Sequence, residues 1–473
     1  MIPHRRCFRR RPLRGLIFLA LALLLPAACR RNPQTPTPLP EAPTDQVTRT
    51  SPAATVQPGR NGTPGVYLTP DAEVTPGELT FLPVAPNAGS PLPDAQAPST
   101  PSATPLATPS TASPTATATP LSFPTYEGPT LDRAQIGVQV HLHREELDPI
   151  LNHVADLGAG WVKVQVAWKV YQPQPDAYDD WRLRELDHLV SGASGRNLKV
   201  LLSVAKAPEW SRPTTEMDGP PADFELFRQF MEYLAVRYRG NVAAYELWNE
   251  PNLQREWNGM ALSAEGFAEL LRQGAAGVRA GDGQALVISG APATTGINDG
   301  VIAIDDRVYL RAMLAQGAGD VVDGIGVHPY GWANPPGASV ADGQQLAPTH
   351  NNHASFFFSD TLHHYRDLLD EAGYGHQRLW LTEFGWGSFE GFGAPPPAEA
   401  QFMTYVNEWQ QAQYTLEALA LVHDWSGVGP VFLWNLNFAP VIGAGFSESG
   451  YSLLRPDGSL RPVYLALQHI PKQ

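Results

Sequence analysis

Two glutamates, each closing an apolar run, are the residues of this chain best placed to do chemistry. Val242-Ala243-Ala244-Tyr245-Glu246-Leu247 leads into Trp248-Asn249-Glu250-Pro251-Asn252, and Leu379-Trp380-Leu381-Thr382 leads into Glu383-Phe384-Gly385. Carboxyl groups at the ends of two buried strands can face each other across a cleft. One can then supply a proton while the other attacks or activates water, the division of labour that cleavage of a glycosidic bond requires. For Glu250 the competing reading is a helix-start phrase, since Asn caps well and Pro suits a first turn. For Glu383 it is a solvent-facing strand end.

Something must hold such a pair in place, and the second half of the chain supplies regular elements. Apolar, strand-like runs occur at 135–142, 161–168, 199–205, 243–248, 285–290, 324–328, 378–383 and 431–437. Between them lie amphipathic, helix-like segments at 144–157, 181–195, 224–239, 264–280, 307–315, 359–372 and 398–423. Strands alternating with helices imply parallel βαβ units, and eight repeats predict an α/β fold of the (β/α)8 TIM barrel type, with catalytic groups at the C-terminal ends of the strands. Both glutamates fall at such ends, on strands four and seven. An open doubly wound sheet is the alternative, but Gly137 stands alone after the first strand, where that fold carries a glycine-rich phosphate turn.

The rest of the chain reads differently. Residues 1–31 hold eight arginines and no acid around the apolar run Leu16 to Leu25, too short to span a bilayer and patterned as an export signal. Leu25-Pro26-Ala27-Ala28-Cys29 resembles a lipobox, so Cys29 is the expected lipidation site, with ordinary cleavage or an uncleaved anchor as alternatives. Residues 30–127 are rich in Pro, Thr, Ser and Ala and read as a disordered linker, able to hold a domain on the order of 100 Å from a membrane or wall. The expected organisation is therefore signal segment 1–29, linker 30–127 and barrel 128–473, exported and held at the cell surface or secreted.

The formal charge is −14, and without residues 1–31 the balance is 25 basic against 47 acidic side chains, which argues against nucleic acid as a partner. Both cysteines, Cys7 and Cys29, lie in the leader, so the remainder can form no disulfide and hold no catalytic thiol. Nothing in the sequence calls for a cofactor or speaks to oligomeric state.

Trp248-Asn249-Glu250-Pro251-Asn252, His328-Pro329-Tyr330 and Trp380-Leu381-Thr382-Glu383-Phe384-Gly385 resemble the retaining barrel glycosidases of clan A, most closely glycoside hydrolase family 39. The resemblance covers roughly residues 131–470. It implies a carbohydrate substrate, Glu250 as general acid/base, Glu383 as nucleophile, His328 and Tyr330 beside the nucleophile, and Asn249 on the sugar hydroxyl next to the reacting carbon. Clan members carry arginine on strand two where this chain offers Lys163, which keeps the charge but not the planar fork. Retention requires the two carboxyl groups about 5–5.5 Å apart and inversion about 6.5–9.5 Å; retention is expected here. The acid must hold its proton near neutrality, which burial and a neighbouring carboxylate both favour.

Indole rings at strand ends can serve as platforms for the C–H faces of sugars, and Trp434 and Trp386 are the expected platforms, with His141 lining the pocket. The long segments 331–357 and 386–397 are expected to set specificity. Two other functions fit part of the pattern. A carbohydrate-binding barrel without turnover would share the leader, linker and aromatics. A metal-dependent barrel hydrolase would use His141 and His143, both on one face of strand one, but strands five and eight offer no further ligands, so the expected metal complement is none.

Overall fold

The computed structural model describes residues 122–142, 147–345 and 347–473. The leader, the linker up to residue 121, Cys29 and His143 lie outside the described residues. Eight strands, β1 Ile136–Val140, β2 Trp161–Ala167, β3 Lys199–Ala205, β4 Ala244–Leu247, β5 Leu286–Ser289, β6 Gly324–Val327, β7 Leu379–Phe384 and β8 Val428–Leu433, pair in chain order, all parallel, and β8 returns to β1. The barrel is closed. The larger connecting helices are α1 Leu147–Asp156, α3 Asp180–Ser194, α4 Phe224–Arg237, α5 Ala264–Gly281, α6 Asp306–Ala315, α7 Phe358–Glu371 and α8 Glu408–His423, with short turns α2 Trp168–Tyr171 and α9 Ala439–Ile442 and a closing α10 Pro462–His469.

Local chemistry starts these helices where expected. Asp179, Asp223, Ser263 and Asp305 cap α3 to α6 by accepting backbone N–H groups of the first turn. The expected helix at 398–423 divides in two. A 3-10 segment, Ala398–Tyr405, ends at Val406, and Asn407 opens α8 through a capping box with Gln410.

Strand alternation builds two environments. Val162, Val164, Leu202, Tyr245, Leu247, Leu379 and Leu381 join the apolar layer between barrel and helices. The opposite faces contribute Trp161, Leu201, Ala244, Ile288, Trp380 and Phe432, a separate cluster plugging the barrel floor. One inward step along β2 to β4 brings Lys163, Ser203 and Glu246, all fully buried. The interior thus changes from apolar floor to charged upper layer just below the mouth.

β7 departs from strict alternation. Leu379, Leu381 and Phe384 all join the outer layer, so two residues rather than one separate the last pair, and the β7–β8 register shifts there. The extra residue is what turns Glu383 inward.

Candidate active site

Glu250 reaches the mouth on constrained backbone, Glu383 on strand β7. Trp248 and Glu250 have φ of +78° and +41°, a region that non-glycine residues adopt at a cost and that concentrates at functional sites. The loop is pinned from both sides. Glu250 N–H donates to the Ala291 carbonyl at 3.0 Å, and the Trp248 indole donates to the Glu256 carbonyl at 3.1 Å. The buried Asn252 amide donates to the carbonyls of Ala293 and Ile304 and accepts from Ala293 N–H. Asn252 is thus a structural tie between the β4 and β5 loops.

Glu383, 7% exposed, accepts the Tyr330 hydroxyl on Oε2 at 3.0 Å and the Lys163 ammonium on Oε1 at 3.2 Å. Burial and the adjacent Glu383 charge push the Tyr330 phenol far above its ordinary range, so it stays a donor. Lys163 also donates to the Thr382 carbonyl at 2.9 Å and lies 3.1 Å from Glu246 Oε2. Burial works against its charge, but Glu246 and Glu383 outweigh burial and raise its pKa. The strand-two lysine therefore touches one carboxylate on β4 and one on β7.

His328, fully buried after β6, connects the pair. Its Nδ1 lies 3.3 Å from Glu250 Oε1 and 3.9 Å from Glu383 Oε2. Those two oxygens are therefore no more than about 7.2 Å apart, the two legs of 3.3 and 3.9 Å through one nitrogen. Burial disfavours the imidazolium, yet the Glu383 charge and the Glu250 hydrogen bond prevail and raise the His328 pKa. The ring leans closer to Glu250 than to Glu383, the carboxylate beside which the resemblance places it.

One expectation is corrected. Glu250 does not hold its proton near neutrality in this resting arrangement. Burial pushes its pKa up, but the His328 hydrogen bond and the Arg255 charge override burial and lower it to about 2. Arg255, on the 3-10 turn Gln254–Glu256, donates to Glu250 Oε2 at 2.9 Å.

Around this centre, Trp434 is half-buried and meets Tyr330, Tyr451 and Phe438 at ring distances of 6.1, 5.3 and 6.1 Å. Asn249, 8% exposed, has a side-chain amide with no hydrogen-bond partner among the described residues. Its bonding capacity is open to a ligand. His141 stacks on Phe438 at 3.6 Å, one ring removed from Trp434. Trp386 is not a platform: it is 1% exposed, its N–H is spent on the Asn334 carbonyl, and Phe358 and Tyr414 enclose it. Trp332 from the β6 loop instead stacks on His350 and meets Phe402 from the 3-10 segment after β7, while the Trp386–Asn334 bond joins the two long segments. Among the described residues no group of three His, Cys, Asp or Glu side chains could hold a metal ion.

Sequence reasoning missed Glu246 and Arg255. Glu246 carried a signal: it shares the inward face of β4 with Ala244, and a carboxylate there needs a partner. Arg255 carried none, because it lies in an irregular turn.

A family profile described as Cellulase (glycosyl hydrolase family 5) matches residues 126–416. No curated protein sequence matches the chain. Among solved structures, a family 39 glycoside hydrolase from the gut symbiont Bacteroides cellulosilyticus WH2 is similar with a TM-score of 0.54 at 19% identity, over 72% of this chain and 64% of that one. A glucosidase from Croceicoccus marinus follows with 0.51 at 15% identity, over 73% and 69%. A GH5_18 variant from Streptomyces cattleya in complex with Manb1-4GlcNAc gives 0.51 at 17% identity, over 71% and 80%. This chain spans less than two thirds of the length of the first of these. At these identities the likeness is one of fold.

Proposed function

This chain belongs to the cellulase family (glycosyl hydrolase family 5) and is a clan A glycosidase, and from that premise we propose an exported enzyme that cleaves β-glycosidic bonds of a poly- or oligosaccharide with retention. Glu250 is the acid/base and Glu383 the nucleophile. The observation that carries this reading is the different origin of the donors on the two carboxylates, with Glu250 held by His328 and a half-exposed loop arginine. Glu383 receives an ammonium and a phenol from inside the barrel, donors suited to an anion that attacks. Glu250 sits on the loop side, where a leaving group departs.

In the first step a Glu383 oxygen forms a bond to the anomeric carbon while the glycosidic C–O bond breaks and Glu250 gives its proton to the leaving oxygen. In the second, Glu250 takes a proton from water, the water oxygen bonds to the anomeric carbon, and Glu383 leaves as carboxylate. Lys163 and Tyr330 hold Glu383 as charge leaves and returns to it. The open Asn249 amide suits the hydroxyl beside the reacting carbon, where a hydrogen bond strengthens in the oxocarbenium-like transition state. The exposed face of Trp434 suits the underside of a sugar ring. The 7.2 Å bound excludes the upper part of the inverting range for that oxygen pair. The leader, Cys29 as lipid anchor and the linker as tether complete the proposal, as does the finer likeness of the motifs to family 39.

Proton NMR of fresh product tests the mechanism: a β-anomer from a β-linked substrate is expected, and an α-anomer would refute retention. Glu250→Gln should turn over dinitrophenyl glycosides far better than unactivated oligosaccharides, with azide restoring rate. One observation favours the rival, a binding barrel without turnover: the His328 hydrogen bond and the Arg255 ion pair together draw the Glu250 pKa down. A panel of β-linked oligosaccharides that bind the barrel yet yield no product would select it.

A further inference from the structure

Resting on the reading of Glu250 as the acid, we propose that Arg255 is a displaceable latch on that residue, and that Glu250 Oε2 is the oxygen it uncovers for proton transfer when substrate occupies the leaving-group side. A carboxylate can take up a proton, and the carboxyl group so formed donate it, only at an oxygen not already engaged by cationic donors. Both Glu250 oxygens are engaged, but unequally. Oε1 faces His328, which is fully buried and fixed at the end of β6. Oε2 faces Arg255, whose side chain is 52% exposed and has no other hydrogen-bond acceptor among the described residues.

The backbone under Arg255 is fixed while its side chain is not. Gln254 N–H donates to the Ile302 carbonyl at 2.9 Å, Trp257 N–H to Gln254, and the Glu256 carbonyl accepts the Trp248 indole. The guanidinium can therefore swing away without disturbing the loop that carries Glu250. The charges of Glu256 beside it and, more weakly, of Glu448 from the β8 loop act on Arg255 through space and give the released cation a counter-charge. The charged and titratable groups around Glu250 are Arg255 and the buried Glu256 from its own loop, His328 and Tyr330 from the end of β6 and, through His328, Glu383 from β7. Of these only Arg255 can leave, so substrate entry would convert an ion pair into a carboxyl group able to take up a proton. Arg255 is a positioning residue in this scheme and touches no reacting atom.

The test is a carbon-13 NMR titration of glutamate side chains, with Glu250 assigned through Glu250→Gln, in the full chain with and without Arg255→Gln. Removing a half-exposed partner should raise the Glu250 pKa by roughly 0.5–1 unit, and Arg255→Lys should restore most of the shift. An unchanged Glu250 titration overturns the latch. Kinetically, the basic limb of kcat/KM for an unactivated oligosaccharide should move up by the same amount in Arg255→Gln, while dinitrophenyl glycosides, which need no proton, should show no such movement. An equal loss on both substrates with unmoved limbs would mark Arg255 as merely structural and also overturn the proposal. Failure of the underlying reading looks different: Glu250→Gln would then cleave unactivated and activated substrates with the same penalty, whatever Arg255 does.

Discussion

Replacing Lys163 with methionine tests the charged layer beneath the mouth most directly. The ammonium is fully buried and lies 2.9, 3.1 and 3.2 Å from the Thr382 carbonyl, Glu246 Oε2 and Glu383 Oε1. Glu246 is equally buried, and neither of its oxygens makes a hydrogen bond. In Lys163→Met it must carry an uncompensated charge or take up a proton inside the barrel. Breaking one side of a buried pair costs about 3–5 kcal/mol, which for a domain of this size lowers Tm by on the order of 10 °C. The double variant Lys163→Met with Glu246→Leu should regain most of that stability, because an apolar substitute for the whole pair is often neutral or better. It should not regain activity, because Glu383 has still lost its ammonium donor. Lys163 has a pKa raised above its ordinary 10.5. Its stabilising contribution is therefore full below that value and disappears as pH rises through the folded-state pKa, so wild type and single variant should converge only in strong alkali. Urea unfolding of the three proteins at pH 7 and above pH 10.5 is the assay. A single variant within 1 kcal/mol of wild type, or a double variant no more stable than the single, would refute the reasoning.

Other outcomes follow from neighbouring side chains. Glu383→Ala should abolish turnover whatever the leaving group, and steady-state rates with dinitrophenyl and alkyl glycosides that both survive would contradict its proposed role as nucleophile. Trp386→Ala should destabilise by about 3–5 kcal/mol, as expected for an enclosed indole, whereas Trp434→Ala should raise KM while leaving the unfolding midpoint nearly unchanged; the reverse pattern would exchange their roles. Asp306 is fully buried, accepts from the Ser355 hydroxyl at 2.6 Å and is pushed up to about 7 by burial. A folded-state pKa above the unfolded 3.8 means stability is lost as pH rises between those values. Asp306→Asn should therefore gain on wild type between pH 4 and pH 8 in thermal unfolding, and parallel curves would show that the buried group does not titrate there.

Much of this architecture could be read from the chain because a parallel barrel writes its strands as short apolar runs, and β3 at Lys199–Ala205 coincides with the expected span. β4, β5 and β6 are each shorter than their apolar runs, since the flanking residues leave the ladder to form the mouth loops. The last long helix was misjudged because helical periodicity continues through Val406, although Asn407 and Gln410 already spelled a capping box. Site residues divided by the same logic. Lys163, set by strand period, and the two glutamates, placed by the ends of their apolar runs, were legible, and Glu246 would have been had the inward face of β4 been followed two residues on from Ala244. Trp386 was misread because its distance from a strand end says nothing of whether a ring turns over the mouth or beneath it.

Arg255 is the instructive omission, since together with the His328 hydrogen bond it lowers the Glu250 pKa against burial, and it lies only five residues away. A turn has no period to extrapolate, so which side chain folds back on a loop carboxylate depends on dihedral angles that the neighbouring β5 loop imposes through Ile302 and Ala303. In this barrel the strands settle which groups meet, and the loops settle which of them carry the proton. The two carboxylates can therefore be located from sequence, while the charge state of the one proposed as acid depends on a side chain that motif matching does not reach.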